Sequence, residues 1–145
     1  MDFFNAISAS SSGLNAQRLR MNLISGNLAN INTTRTNKGG PFRRKEAIFS
    51  AIPMESSFQK ILTNRLHKRL SMVKVDRIIE DANPPVMKYD PQHPDANEKG
   101  YVAMPNINVM EEMVNMISAT RGYEANVSAL KAAKDMASIA LEIGK

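Results

Sequence analysis

The sequence predicts an α+β protein in which a helix at each end of the chain pairs with the other in an antiparallel, coiled-coil-like inner domain. Apolar residues recur at alternating steps of three and four in both end segments, which is the spacing of a narrow helix seam. The middle lacks that spacing and shows short alternation of apolar and charged residues, which predicts strands. Four of the seven prolines lie within residues 81–97, which excludes a continuous helix there.

The C-terminal segment carries the longer of the two apolar stripes, interrupted only at Thr120 and Lys134. A seam of this kind requires another helix against it. Pro105 and Asn106 are predicted to open this helix, which should run to about residue 143. We predict that its subunit-packing seam is formed by Val109, Met113, Met116, Tyr123, Val127, Leu130 and Leu141.

The N-terminal segment predicts a helix over residues 2–31 with low intrinsic stability. It contains four serines and one glycine between positions 8 and 13, and these residues favour a helix less than alanine does. We therefore expect this helix to need a partner surface in order to form. Its part of the seam is predicted to consist of Ile7, Leu14, Met21, Ile24 and Leu28.

A turn-rich segment follows the first helix. Residues 30–40 are rich in Asn, Thr and Gly, whose side chains or backbone freedom compete with helical hydrogen bonds. This break marks the predicted boundary between the N-terminal helix and the middle of the chain. We predict that Asn27, Asn30 and Thr33 shape the turn by which the chain leaves the helix.

The chain divides into three predicted parts: an N-terminal helix and turn at 1–37, a small mostly-β outer domain at 38–105, and a C-terminal helix at 106–145. Short strands are expected around residues 42–49, 73–78 and 100–104. Residues 53–71 are predicted to be a flexible loop, although their sequence leaves strand, helix and loop open. Residues 81–97 are expected to be extended and without regular hydrogen bonding because of their prolines.

One proline-rich hexapeptide, at residues 90–95, places three potential metal ligands close together. Its two prolines favour an extended turn, and no fourth ligand follows at a metal-binding spacing. We therefore interpret it as a structural turn and expect no metal and no cofactor. The predicted outer-domain loop consists of Tyr89, Asp90, Pro91, His93 and Pro94.

Composition argues against several classes of function. The chain has no cysteine, which excludes disulfides and thiol catalysis, and it shows no phosphate loop or nucleophile motif, so we expect no enzyme. Eleven of its nineteen Lys and Arg residues lie between 35 and 77, against three acidic residues. That basic segment leaves a nucleic-acid module as one alternative. No apolar run is long enough to span a membrane, and the first residues do not resemble a cleavable signal peptide.

Several segments resemble a known family. Residues 25–36, with the sequence SGNLANINTTRT, resemble the signature of the flagellar rod and hook family. Residues 106–117 and 121–126 resemble the C-terminal helix of that family. In the middle, residues 40–46, 73–75, 89–95 and 100–106 resemble its proximal-rod branch. The resemblance covers nearly the whole chain except residues 53–71.

The resemblance implies a structural subunit of the proximal rod, the drive shaft through the periplasm. It implies export without a cleaved signal peptide and helical assembly around the export channel. The implied partners are copies of the chain, other rod proteins, the rod–membrane-ring adaptor protein and the flagellar type III export apparatus. It implies no nucleic acid, small-molecule substrate or membrane insertion. A coiled-coil adaptor or export chaperone remains the alternative from a different class.

Overall fold

The computed structural model describes residues 3–53 and 71–143. Helices at the two ends enclose two antiparallel strand pairs, which confirms the predicted α+β class. The predicted loop at 53–71 lies outside the described residues, except that Pro53 and Ser71 belong to strands. In chain order the elements are α1 (Phe3–Ala29), β1 (Lys45–Pro53), β2 (Ser71–Glu80), β3 (Val86–Tyr89), β4 (Tyr101–Met104) and α2 (Val109–Ile143).

Helices α1 and α2 pack against each other and run antiparallel, as predicted. The direction follows from two hydrogen bonds: Arg20 Nη2 donates to Asn115 Oδ1 at 3.3 Å, and Asn27 Nδ2 donates to Glu112 Oε2 at 3.0 Å. Further along the pair, a Cβ built on Gly13 would lie only 2.9 Å from the Asn126 side chain. Small residues at such positions let the two backbones approach closely.

Strands β1 and β2 form a two-stranded ribbon that lies along α1. Its base is hydrogen-bonded to Asn27, and the backbone N–H of Val73 donates to Ser12 Oγ at 3.0 Å nearer the start of the helix. A bulge leaves Asp76 without a ladder partner. The predicted first strand at 42–49 begins three residues late, because the N–H of Phe42 donates to the Thr33 carbonyl in the preceding turn.

Strands β3 and β4 form a second, shorter pair, and here one prediction was wrong. Residues 81–97 were expected to lack regular hydrogen bonding, yet Val86 pairs with Met104 and Tyr89 pairs with Tyr101. The prolines flank the four-residue strand instead of interrupting it, so no ladder donor is lost inside it. Strand β4 confirms the strand expected at 100–104.

Helix α2 begins at Val109, later than the predicted opening at Pro105 and Asn106. The Asn108 side chain determines this start, because its Oδ1 accepts the N–H of Met110 at 3.0 Å and that of Glu111 at 3.4 Å. The helix continues through Ile143, the last described residue, as the prediction requires. Within residues 3–53 and 71–143, neither helix combines the length and the hydropathy that a membrane-spanning segment requires.

Candidate assembly surface and polar junction

The side of α2 that is buried in the chain follows a line partly different from the predicted seam. Met116, Tyr123 and Leu130 are half-buried on this side. The residues that alternate with them along it are Glu112, Ala119, Asn126 and Ala133. The remaining residues of the predicted seam are exposed. Small side chains at 119 and 133 face α1 in their place and allow the two helices to approach closely. The four exposed seam residues are Val109, Met113, Val127 and Leu141.

On α1 the predicted seam residues lie at or beside the buried side. Ile24 is buried, and Ile7, Leu14, Met21 and Leu28 are half-buried. Thr120, which interrupts the predicted stripe, lies with its hydroxyl 3.6 Å from Met21 Sδ, so α2 contacts α1 beside one of the predicted positions of α1.

The apolar pattern missed three buried residues of α1: Gly13, Ala16 and Asn27. Glycine and alanine three residues apart on a helix are themselves a signal of close helix approach, and that signal could have found the first two. Asn27 carried no comparable signal, since a buried amide cannot be told from a surface one by periodicity.

An exposed apolar cluster covers the other side of α2 near its start, and we term it the outer patch: Met110, Met113, Val114 and Ile117. Met110 is 70%, Val114 63% and Ile117 54% exposed. At about 100° per residue, these three lie roughly 140–200° around the helix from Glu112, on the side away from α1. A contiguous apolar surface of this kind is typical of a protein–protein contact.

A buried polar junction lies where α1, the base of the ribbon and α2 meet; it comprises Asn27, Arg44, Lys45 and Glu112. Glu112 is only 1% exposed, and both of its carboxylate oxygens are engaged. Oε1 accepts Arg44 Nε at 2.7 Å, and Oε2 accepts Asn27 Nδ2 at 3.0 Å. The Asn27 amide also pairs with the Lys45 backbone, donating to its carbonyl at 3.0 Å and accepting its N–H at 2.9 Å.

The electrostatics of the junction keep Arg44 charged. Burial lowers the pKa of Arg44, but its hydrogen bond to Glu112 and the charges of Glu112 and Glu46 together raise that pKa above its ordinary value. The stabilisation from a raised pKa is present below the unfolded value, so it persists throughout the biological pH range. Glu112 also lies in the first turn of α2, where the helix dipole favours an anion.

The turn after α1 is built by two of the three residues predicted to shape it. Asn30 Nδ2 donates to the Gly26 carbonyl at 2.8 Å, and Thr33 Oγ1 donates to Asn30 Oδ1 at 3.2 Å. The third residue, Asn27, is directed into the polar junction instead. The Asn27 carbonyl accepts the N–H of Asn30 at 3.3 Å in the turn, while its side chain ties α1 to the ribbon and α2.

The predicted outer-domain loop connects β3 to β4. The N–H of Asp90 donates to the Gly100 carbonyl at 2.9 Å, and His93 Nδ1 accepts the N–H of Asp95 at 3.1 Å. Tyr89 and Pro91 pack over Gly100, where an added Cβ would lie 2.9 Å and 3.2 Å from them. Pro94 is exposed at the turn. A short bond of 2.7 Å from the Thr34 hydroxyl to Asp95 Oδ2 ties this loop to the turn after α1.

Comparison with known families matches both ends of the chain. The family model described as "Flagella basal body rod protein" matches residues 7–35, which cover most of α1 and its turn. The model described as "Flagellar basal body rod FlgEFG protein C-terminal" matches residues 98–143, which include β4 and α2. The paired helices and the two family matches place this chain in the class of flagellar basal-body rod proteins.

Full-length relatives narrow the class to one family. The flagellar basal-body rod protein FlgC of Borreliella burgdorferi is 44% identical, covering 99% of this chain and 98% of its own length. FlgC of Bacillus subtilis is 43% identical over the whole of both chains, and FlgC of Aquifex aeolicus is 38% identical, covering 94% of this chain and 92% of its own. The chain belongs to the FlgC family.

Proposed function

We propose that this chain is a structural subunit of the proximal rod of the flagellar basal body. In this role it assembles helically, transmits torque through many subunit contacts in parallel and encloses the export channel. The outer patch is the observation that carries the proposal. Helix α2 already uses one face against α1, yet its first turns present a second, exposed apolar face that an isolated chain does not need.

The exposed members of the predicted seam fit the same role. Val109, Met113, Val127 and Leu141 are apolar and exposed on a helix whose partner α1 lies elsewhere. We assign them to contacts between subunits, together with the outer patch. Ile24, Met116 and Leu130 then serve the pairing of α1 with α2 within one subunit.

Family membership supports the choice of partners. We propose that copies of this chain contact one another, the other rod proteins and the rod–membrane-ring adaptor protein, after delivery by the flagellar type III export apparatus. The chain would reach the periplasm-spanning rod without a cleaved signal peptide. It would act without a cofactor and without catalysing a reaction.

The proposal is tested by mass spectrometry of detergent-washed hook–basal bodies. They are purified from the source bacterium and from a strain in which the gene for this chain is deleted. We expect the chain at near-stoichiometric levels with the other rod proteins in the first preparation, and no assembled hook in the second. A chain found only in the cytosol would contradict the rod role and would favour an adaptor or export chaperone.

A further inference from the structure

The contact between α1 and α2 is built from residues that define its geometry weakly. Gly13, Ala16, Ala119 and Ala133 are small, and small side chains lock neither the register nor the rotation of one helix against another. Their close approach limits the spacing of the helices, since an added Cβ on Gly13 would lie 2.9 Å from the Asn126 side chain, but it makes no directional contact. Hydrogen bonds to defined partners would fix the rotation of α2 more strictly than these small side chains do.

The polar junction supplies hydrogen bonds of that kind. Glu112 is buried and holds two partners that come from different parts of the chain: Asn27 in α1 at 3.0 Å and Arg44 at the base of the ribbon at 2.7 Å. A rotation or slip of α2 would leave the buried Glu112 carboxylate without either partner, which is strongly unfavourable. Buried polar groups at helix seams fix register in just this way.

The outer patch lies in the same turns of α2 as Glu112, on the opposite side. The rotation of α2 about its axis therefore decides where Met110, Val114 and Ile117 point. We propose that Glu112 is a positioning residue: by binding Asn27 and Arg44 it sets the rotation of α2 relative to α1 and the ribbon, and so aims the outer patch at the neighbouring subunit. The aiming of the patch rests on the proposed rod function, whereas the positioning of α2 does not.

The positioning is measured by double electron–electron resonance on the purified full-length chain. The protein has no cysteine, so Ser50→Cys in the ribbon and Glu124→Cys in α2, both exposed positions, give two unique spin-label sites. We expect one narrow distance peak. Glu112→Gln keeps the size of the side chain and an oxygen for Asn27 but removes the charge that holds Arg44, so we expect that narrow peak to be lost. The adjacent, exposed Glu111→Gln is the matched control and should keep it.

Circular dichroism on the same samples separates positioning from folding. Loss of the narrow peak in Glu112→Gln at unchanged helix content, with Glu111→Gln like the parent, supports the proposal. An unchanged peak in Glu112→Gln, a parent peak that is already broad, equal broadening in the control, or a loss of helix content in Glu112→Gln would each overturn it. Because the purified chain is measured, a failure here leaves the rod role standing, and absence from basal bodies leaves the distance result standing.

Discussion

At the scale of single residues, a few polar and glycine positions are expected to tolerate substitution least. Glu112 is the most buried charged residue described, and it is satisfied by two partners. Gly100 has a φ of 78° and lies under the Tyr89 ring. Substitution at either position is expected to cost more than substitution of neighbouring, exposed residues, because nothing nearby can replace what is lost.

Glu112→Ala should lower the free energy of unfolding by about 1.5–3 kcal/mol, the usual worth of hydrogen bonds to a charged group, because Arg44 is partly exposed and keeps its ion pair with Glu46. Among the described residues, Arg44 would keep only its bond to Glu46, and the Asn27 amide would keep only its bonds to the Lys45 backbone. Glu111→Ala, one residue earlier on the exposed side, should change it by less than about 0.5 kcal/mol. Urea unfolding of both variants measures the difference, and equal stabilities would contradict a structural role for the junction.

Gly100→Ala tests the packing of the outer-domain loop. Alanine at a positive φ costs about 1–2 kcal/mol, and here its Cβ would also lie 2.9 Å from the Tyr89 ring, so we expect a loss of about 2–3 kcal/mol. Gly39 is the matched control, since its φ is 84° but no atom lies within 4 Å of an added Cβ. Thermal unfolding should show the larger loss for Gly100→Ala; a smaller loss than for Gly39→Ala would refute the packing of Tyr89 on this glycine.

At the scale of elements, the sequence allowed the helices to be predicted more closely than the contact between them. The period of three and four located both helices, and α2 continues through Ile143, the last residue that the structure describes. The period did not separate the positions of α2 that face α1 from those that stay exposed, because the pattern follows hydrophobicity whereas the close contact with α1 selects small residues. Strand β3 at residues 86–89 was not predicted, because the prolines on either side of it favour an irregular segment over all of residues 81–97. No pattern of apolar residues could reveal the pairing of Asn27 with Glu112, which lies 85 residues away.

Substitution of helix glycines tests that close contact directly. Gly26→Ala meets no atom within 4 Å, so it should raise the free energy of unfolding by about 0.5–1 kcal/mol through the better helix propensity of alanine. Gly13→Ala brings the same propensity but places its Cβ 2.9 Å from the Asn126 side chain, which must move. We expect it to gain nothing or to destabilise the chain in chemical unfolding. An equal gain at both positions would show that the helices do not approach closely at Gly13.

At the scale of the whole molecule, the chain is a pair of helices with a ribbon along one of them and an apolar surface left uncovered. Among the described residues nothing covers the outer patch, and the proposed rod function assigns it to a contact with another chain. Membership in the FlgC family and the exposed patch support the same structural role independently. The account therefore depends on whether the patch is covered in the assembled rod.

Maleimide labelling of Val114→Cys tests that claim most directly, because the natural chain has no competing cysteine. The reagent is applied to the purified full-length chain and to intact hook–basal bodies from a strain that carries the variant and still swims. We expect rapid labelling of the free chain, protection in basal bodies and recovery of labelling once the basal bodies are denatured. Equal labelling of free and assembled chains would contradict the outer patch as a contact between rod subunits.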